Sequence, residues 1–179
     1  MKNQCTRWVT ARKVAVLALA VSSFLSPAVG VLAAEEVRVW IELPDRPLMA
    51  GETIEVPVYV EDGDLDLASY ALRVRYSSEV LRIVEIEGGA FAGFSRRPVT
   101  DPESFASGRT DFTANNRELL ATPRSFEIAR IRIDVLRSEA REAFVGIRLA
   151  PRGGLVDGEH FELVPATLQG GGRLLVEQR

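Results

Sequence analysis

The stretch from Leu67 to Gly89 constrains the fold of this chain more than any other segment. Its first half alternates strictly between large apolar residues and small or charged ones: Tyr70, Leu72, Val74 and Tyr76 share one side, and Ser69, Ala71, Arg73 and Arg75 share the other. This period of two predicts a half-buried β-strand with one face in a core and one face free. A second extended run, 82–87, ends at Gly88-Gly89. The segment therefore predicts two successive strands, the first with arginines on its outer face.

Six more alternating runs predict further strands, at 37–43, 54–61, 109–114, 125–137, 143–149 and 171–176. Within 125–137 the apolar phase shifts after Ile128, which predicts a β-bulge near Ala129-Arg130. Pro57 has no N–H to donate, so we expect its strand at a sheet edge, or its nitrogen facing no partner. Only residues 138–143 suggest a helical turn. Short strands punctuated by Gly and Pro predict an all-β fold, a single jelly-roll or β-sandwich of about nine strands.

Residues 1–33 have the composition of a secretory signal peptide. A basic start precedes an apolar run, 14–25, and small residues lie around Ala33. That run is shorter than the roughly 20 residues that a membrane span needs, so we expect cleavage rather than a membrane anchor. Cys5, the one cysteine, would leave with this segment. We therefore predict a secreted or periplasmic, disulfide-free monomeric domain at 34–179.

The charge balance excludes nucleic acid as a partner. Residues 34–179 keep all 25 acidic residues but lose four of the 22 basic ones, so the exported domain is net acidic. Nucleic-acid-binding domains are normally basic. Both lysines lie in the first 33 residues, so every cation of the domain is an arginine. Guanidinium groups are suited to bidentate recognition of carboxylates.

The order of these motifs resembles the cohesin domain. It is carried by Ala50-Gly-Glu-Thr-Ile-Glu-Val-Pro-Val58, the acidic turn 61–66, Leu72-Arg-Val-Arg-Tyr-Ser-Ser-Glu-Val-Leu81, Phe126-Glu-Ile-Ala-Arg-Ile131 and Gly172-Arg-Leu-Leu-Val176. The resemblance covers nearly all of 34–179. It implies a nine-stranded jelly roll that recognises a protein partner such as a dockerin, in an extracellular or envelope assembly linked to polysaccharide degradation. Ser77-Ser78 departs from the Asp-Pro that usually follows this tyrosine in cellulosomal cohesins.

The outer face of the Leu67–Tyr76 strand is the candidate protein-binding site. Cohesins often have Asn and Asp on this face to hold a dockerin helix, and the matching positions here are Ser69 and Ala71. The predicted site comprises Ser69, Ala71, Arg73, Arg75, Asp111 and Thr113. The competing interpretation is a solvated face without a partner.

Trp40 and Tyr59 support an alternative function, carbohydrate binding. Both rings fall on the polar phase of their strands. If the first two strands form an antiparallel hairpin that closes near Met49-Ala50, these rings lie opposite each other and could stack on a sugar. A loop or chain terminus that covers the rings is the other interpretation. A third alternative is a subunit of an envelope or extracellular assembly with no connection to polysaccharide.

Metal binding and catalysis have weak support. Asp62, Asp64 and Asp66 are spaced like the start of an EF-hand loop, but Leu67 and Arg73 occupy the positions that need Gly and Glu. The chain has one histidine, His160, no Gly-x-Ser-x-Gly motif, and no set of ligands suited to zinc. We therefore expect no cofactor, no resident metal and no enzyme activity.

Overall fold

A computed structural model of the chain describes residues 37–63, 65–136, 142–159 and 162–177. The predicted signal peptide, Asp64, His160 and most of the expected helical turn at 138–143 lie outside these residues. Among the described residues, no helix has the length and apolar character needed to cross a membrane. The strands are β1 Val37–Ile41, β2 Leu48–Met49, β3 Thr53–Glu61, β4 Leu67–Tyr76, β5 Leu81–Gly88, β6 Val99–Thr100, β7 Arg109–Asn115, β8 Ser125–Val135, β9 Glu142–Leu149, β10 Leu155–Asp157, β11 Leu163–Val164, β12 Ala166–Gln169 and β13 Gly171–Glu177, with 3₁₀ helices at Ala92–Phe94 and Pro102–Ala106.

These strands form two sheets that enclose the core. The five-stranded sheet has the order β12-β1-β3-β8-β5, and the eight-stranded sheet has the order β11-β10-β4-β9-β13-β2, with β7 on the other edge of β4 and β6 beside β7. All pairings are antiparallel except β1 with β12 and β13 with β2. The architecture confirms the predicted jelly-roll sandwich.

All eight predicted strands are present, with shifts of one or two residues at their ends. The elements that the sequence patterns missed are β2, β6, β10, β11 and β12, each of two to four residues. Such short strands contain too few residues to show an alternation. Four of them attach to longer strands and β11 attaches to β10, so all depend on the assembled sheets.

The core lies between the inward faces of the two sheets and includes an aromatic cluster. The Tyr70 ring of β4 packs against Phe94 and Phe112, with ring centroids 5.3 and 5.9 Å apart. Its hydroxyl is buried and donates a 3.1 Å hydrogen bond to the Ile128 carbonyl on the opposite sheet. Burial raises the Tyr70 pKa far above its ordinary value. Tyr70 therefore fastens one sheet to the other through both its ring and its hydroxyl.

The bulge in β8 falls one residue before the predicted position. Val58 pairs with Ala129 and Tyr59 with Glu127, which leaves Ile128 without a partner in the β3 register. Pro57 was expected at an edge strand, and this is wrong, because β3 lies inside its sheet between β1 and β8. The alternative expectation, that the Pro57 nitrogen faces no strand partner, agrees with the structure. The Pro57 carbonyl accepts from Glu42 N, just past the end of β1, so its nitrogen faces that side too.

Candidate functional site

The outward side chains of β4, β7 and β9 form a continuous surface on the eight-stranded sheet. Arg75 lies directly opposite Arg109 on one neighbouring strand and opposite Gly146 on the other. All six residues predicted for partner binding lie on this surface, because β7 pairs with β4 along its length. We call the surface the arginine face and define it by Ser69, Ala71, Arg73, Arg75, Arg109, Asp111, Thr113, Phe144, Gly146 and Arg148.

Arg73 and Asp111 are the tightest polar contact on the arginine face. Arg73 donates through Nε and Nη2 to the two carboxylate oxygens of Asp111, at 2.6 and 2.8 Å. This hydrogen bonding lowers the pKa of Asp111 and raises that of Arg73. The fork-to-carboxylate geometry occupies one edge of the guanidinium and engages both oxygens of the carboxylate, so the two charges largely neutralise each other. Arg73 is therefore less available to a partner than its position suggests.

Three other arginines on this face have no such neutralising partner. Arg75 and Arg109 are directly opposite each other, and Arg148 is directly opposite Arg73. Within the described residues, no carboxylate forms an ion pair with Arg75, Arg109 or Arg148. Like charges directly opposite across a sheet repel. The face therefore concentrates positive charge in a domain that is net acidic.

Ala71 and Ser69, the small outward residues of β4, are both partly covered. The loop between β9 and β10 folds back over Ala71, whose N–H donates to the Gly154 carbonyl at 2.8 Å. A Cβ built on Gly153 would lie 2.3 Å from Ala71 Cβ, so only glycine fits there. Ser69, further along the strand, is half-buried. The chain's own loop therefore fills part of the space that these small residues leave.

Thr113 is exposed beside an open groove. Across the sheet it pairs with Ala71 and with Val99, an exposed apolar residue at the edge of the sheet. A groove of about 650 Å³ runs between this edge and the 3₁₀ helix Pro102–Ala106. Its walls carry both signs of charge, with Arg109 on one side and Asp101 and Glu103 on the other.

Phe144 is an exposed aromatic residue on this face, and the sequence analysis did not predict it. The residue is 44% exposed, and it follows the alternation of β9, in which Ala143 and Val145 are buried. The ring lies over Gly146, where an added Cβ would come within 2.6 Å of the ring. A signal was available, because Phe144 occupies the polar phase of run 143–149 just as Trp40 does in β1. Applying the same reasoning to β9 would also have found Arg148.

Similar solved structures decide which fold this is. The chain superposes on a cohesin module of a family 33 glycoside hydrolase from Clostridium perfringens with TM-score 0.63, 12% identity, and coverage of 80% of this chain and 98% of that one. A type I cohesin–dockerin complex from Clostridium thermocellum gives 0.62, 14%, 79% and 99%. A non-cellulosomal cohesin from the archaeon Archaeoglobus fulgidus gives 0.54, 15%, 78% and 91%. The fold is the cohesin fold.

The resemblance predicted from the sequence motifs is thus confirmed at the level of the fold. The sequence itself matches no protein-family model and no curated protein. With identities this low, the cohesin fold is shared while the surface residues are this chain's own. The arginine face must therefore be interpreted from its own contacts.

The opposite face of the cohesin fold carries the two rings proposed for carbohydrate binding. Trp40 pairs with Tyr59 across β1 and β3, which confirms the predicted register, and the rings stack with centroids 5.5 Å apart. Both side chains are half-buried. Burial, with Glu42 and Glu127 nearby, raises the pKa of Tyr59. Because the rings stack on each other, one face of each is already occupied.

The acidic turn between β3 and β4 is built as a structural turn. Asp62 is buried, and its Oδ2 accepts a 2.5 Å hydrogen bond from Thr122 Oγ1, while Oδ1 accepts none from the described residues. Asp66 accepts from Thr122 N at 2.9 Å. Burial raises the pKa of Asp62 to about 6. Within the described residues, no group of three His, Cys, Asp or Glu side chains could hold a metal ion.

Proposed function

We propose that this chain is an exported, non-catalytic binding module that recognises a protein partner through its arginine face. The observation that carries the proposal is that this face combines unneutralised arginines with an exposed aromatic residue on a cohesin fold. Arginine and aromatic residues are the types enriched at protein interfaces and among the residues that dominate binding energy.

The comparisons support a dockerin-like partner. The similar structure from Clostridium thermocellum is a complex of a cohesin with a dockerin. The face of β4 in this chain lacks the Asn and Asp expected for cellulosomal recognition and has Ser69 and Ala71 instead. The partner is therefore a protein of dockerin-like size and shape whose contact residues differ from those of cellulosomal dockerins.

Location and biological setting follow from two further observations. The signal-peptide pattern of residues 1–33 supports a secreted or periplasmic site of action. A link to polysaccharide degradation is supported by the similar module from Clostridium perfringens, which belongs to a family 33 glycoside hydrolase. The chain thus acts as an adaptor in an extracellular or envelope assembly, without a cofactor or catalytic residues of its own.

A bulky group attached to the arginine face should test the proposal without changing charge. Cys5→Ser removes the only cysteine, after which Thr113→Cys places one thiol on the exposed part of the face. Val84→Cys, exposed on β5 of the other sheet, is the matched control. Both are labelled with a polyethylene glycol maleimide and used to capture proteins from the medium and envelope of the producing cells.

We expect the Val84-labelled protein to retain one protein that the unlabelled chain enriches, and the Thr113-labelled protein to lose it. Equal capture by both labelled proteins would move the interface away from the arginine face. If the unlabelled chain enriches no protein, the protein-binding function itself fails.

Carbohydrate binding is the second candidate, and the Trp40–Tyr59 stack favours it. An open groove of about 380 Å³ beside Trp40 is lined by polar groups, Arg38, Glu61 and Gln169, that could hydrogen-bond sugar hydroxyls. We expect no strong retention of the chain on cellulose, chitin or xylan. Clear retention that Trp40→Ala abolishes would place this candidate first.

A further inference from the structure

We infer that the partner binds the arginine face with an acidic surface, in which carboxylates contact Arg75, Arg109 and Arg148 around an apolar residue that packs on Phe144. The inference rests on the proposed function and specifies the chemistry of its partner. It differs from the sequence prediction, which assigned the positive charge to Arg73 and Arg75.

The geometry selects these three arginines. Arg73 is already held in a bidentate pair by Asp111. Arg75 and Arg109 are cross-strand neighbours, which places their Cβ atoms about 5 Å apart. Arg148 is displaced from Arg75 by one alternation of the strand, about 7 Å along it. Arg109 and Arg148 lie on opposite sides of β4, so the three arginines form a triangle of charge centred on that strand.

No carboxylate of the described residues forms an ion pair with this triangle. Asp111 lies beside Arg109 on β7, but its two carboxylate oxygens are held by Arg73. Asp101 and Glu103 lie across the groove, and Asp101 is used to cap the 3₁₀ helix that follows it. Repulsion between Arg75 and Arg109 therefore costs stability in the free protein. An acidic partner would remove that cost, because each of its carboxylates replaces a repulsive contact by an attractive one.

Phe144 supplies the apolar part of the site. Its ring lies over Gly146, and Gly146 is the cross-strand neighbour of Arg75. On the other side, Gly146 pairs with Gly171, which has no side chain, while Arg173 of β13 lies directly opposite Phe144 and is ion-paired with Glu142. An apolar partner residue could thus reach the ring while acidic neighbours reach the guanidinium groups. This mixture favours a protein segment, which can offer carboxylates and an apolar side chain from neighbouring residues.

Selection from a displayed library of random peptides tests the chemistry directly. The bait is the full chain, and the variant removes the triangle by Arg75→Ser, Arg109→Ser and Arg148→Ser. The matched control removes the same number of charges from the other sheet and its flanking loop by Arg38→Ser, Arg82→Ser and Arg124→Ser, each an exposed, ion-paired arginine. Circular dichroism checks that both triple variants are folded. Polygalacturonate is tested in parallel as a polyanionic sugar.

We expect the selected peptides to be rich in Asp and Glu around an apolar residue. They should bind the triangle variant at least tenfold more weakly than the wild type, bind the control variant unchanged, and weaken as salt is added. Phe144→Ser should also weaken binding several-fold, with the charge unchanged.

Three outcomes would overturn the inference: peptides without acidic enrichment, equal binding to the triangle variant, or tighter binding to polygalacturonate that the triangle variant loses. The last would assign the triangle to an anionic polysaccharide. If the captured protein of the preceding experiment depends on the Thr113 surface but binds the triangle variant normally, the protein-binding function stands and only the acidic-partner inference fails.

Discussion

The outer faces of the two sheets use the same residue types in opposite ways. On the five-stranded sheet, arginines lie opposite carboxylates: Arg38 pairs with Glu61, and Arg132 lies between Glu55 and Glu85. On the eight-stranded sheet, Arg75 lies opposite Arg109, and Arg73 lies opposite Arg148. We call the outer face of the five-stranded sheet the paired face. The comparison shows that register, rather than composition, decides which face is neutral.

The difference in energy between the two faces supports the proposed binding site. Cross-strand ion pairs each contribute a few tenths of a kcal/mol to about 1 kcal/mol, and like charges cost a similar amount. The strand register therefore stabilises the paired face and destabilises the arginine face. A loss at one surface of an otherwise well-satisfied fold is typical of residues retained for binding.

The largest effect concerns Asp62, which lies where the chain passes from one sheet to the other. The ionisation of Asp62 measures how much free energy of folding is lost when a buried charge has no ionic partner. Its pKa is about 6 in the fold, above the 3.8 of an exposed aspartate. The folded state therefore holds this proton more tightly, so the contribution of Asp62 to stability is fully present below about pH 4 and falls by about 3 kcal/mol as pH rises through 6.

Asp62→Asn should remove this loss and make the protein more stable than the wild type at pH 7.5, but not at pH 4. Denaturant unfolding at both pH values measures it. Asp45→Asn, which removes one charge from an exposed position, is the control. EDTA should leave the melting temperature unchanged. A lower stability of Asp62→Asn at pH 7.5, or a large effect of EDTA, would mean that the ionised carboxylate holds a cation.

The next effect tests the paired face. Glu127 is 8% exposed and accepts hydrogen bonds from Arg130 Nε and Nη2 at 2.9 and 3.0 Å. Glu127→Gln should destabilise the protein by about 2 kcal/mol, because it breaks a largely buried, charge-assisted pair. Glu55→Gln removes the exposed partner of the same arginine and should cost less than about 0.5 kcal/mol. Chemical denaturation compares the two variants. Equal losses of stability would show that burial does not determine how much an ion pair on this face contributes.

The fold was largely predictable from the sequence, and the site only in part. A long alternating run such as that of β4 predicts a strand without any information about its neighbours. Trp40 and Tyr59 could be placed opposite each other because the connecting segment is short. The pairing of β7 with β4 depends on 32 intervening residues, 77–108, and has no local signal. The Arg75–Arg109 pair was therefore missed. Phe144 was within reach of the same alternation argument.

Arg73 and Arg75, both predicted as partner-binding residues, differ in their contacts. Sequence alternation places Arg73 and Arg75 on one face as equals. Only the sheet register shows that Asp111 lies opposite the first and Arg109 opposite the second. Arg73 has a carboxylate as its cross-strand partner and is neutralised, whereas Arg75 has an arginine and is not.

The smallest effect tests the central claim most directly, and it needs no partner. Arg75→Glu and Arg38→Glu make the same charge change on the arginine face and on the paired face. At low salt, about 0.01 M, Arg75→Glu should be about 0.5 kcal/mol more stable relative to Arg38→Glu, because one substitution relieves a repulsion and the other creates one. At about 1 M salt, where charges are screened beyond about 3 Å, this difference should largely vanish. Equal stabilities of the two variants at low salt would contradict the claim that Arg75 is unpaired.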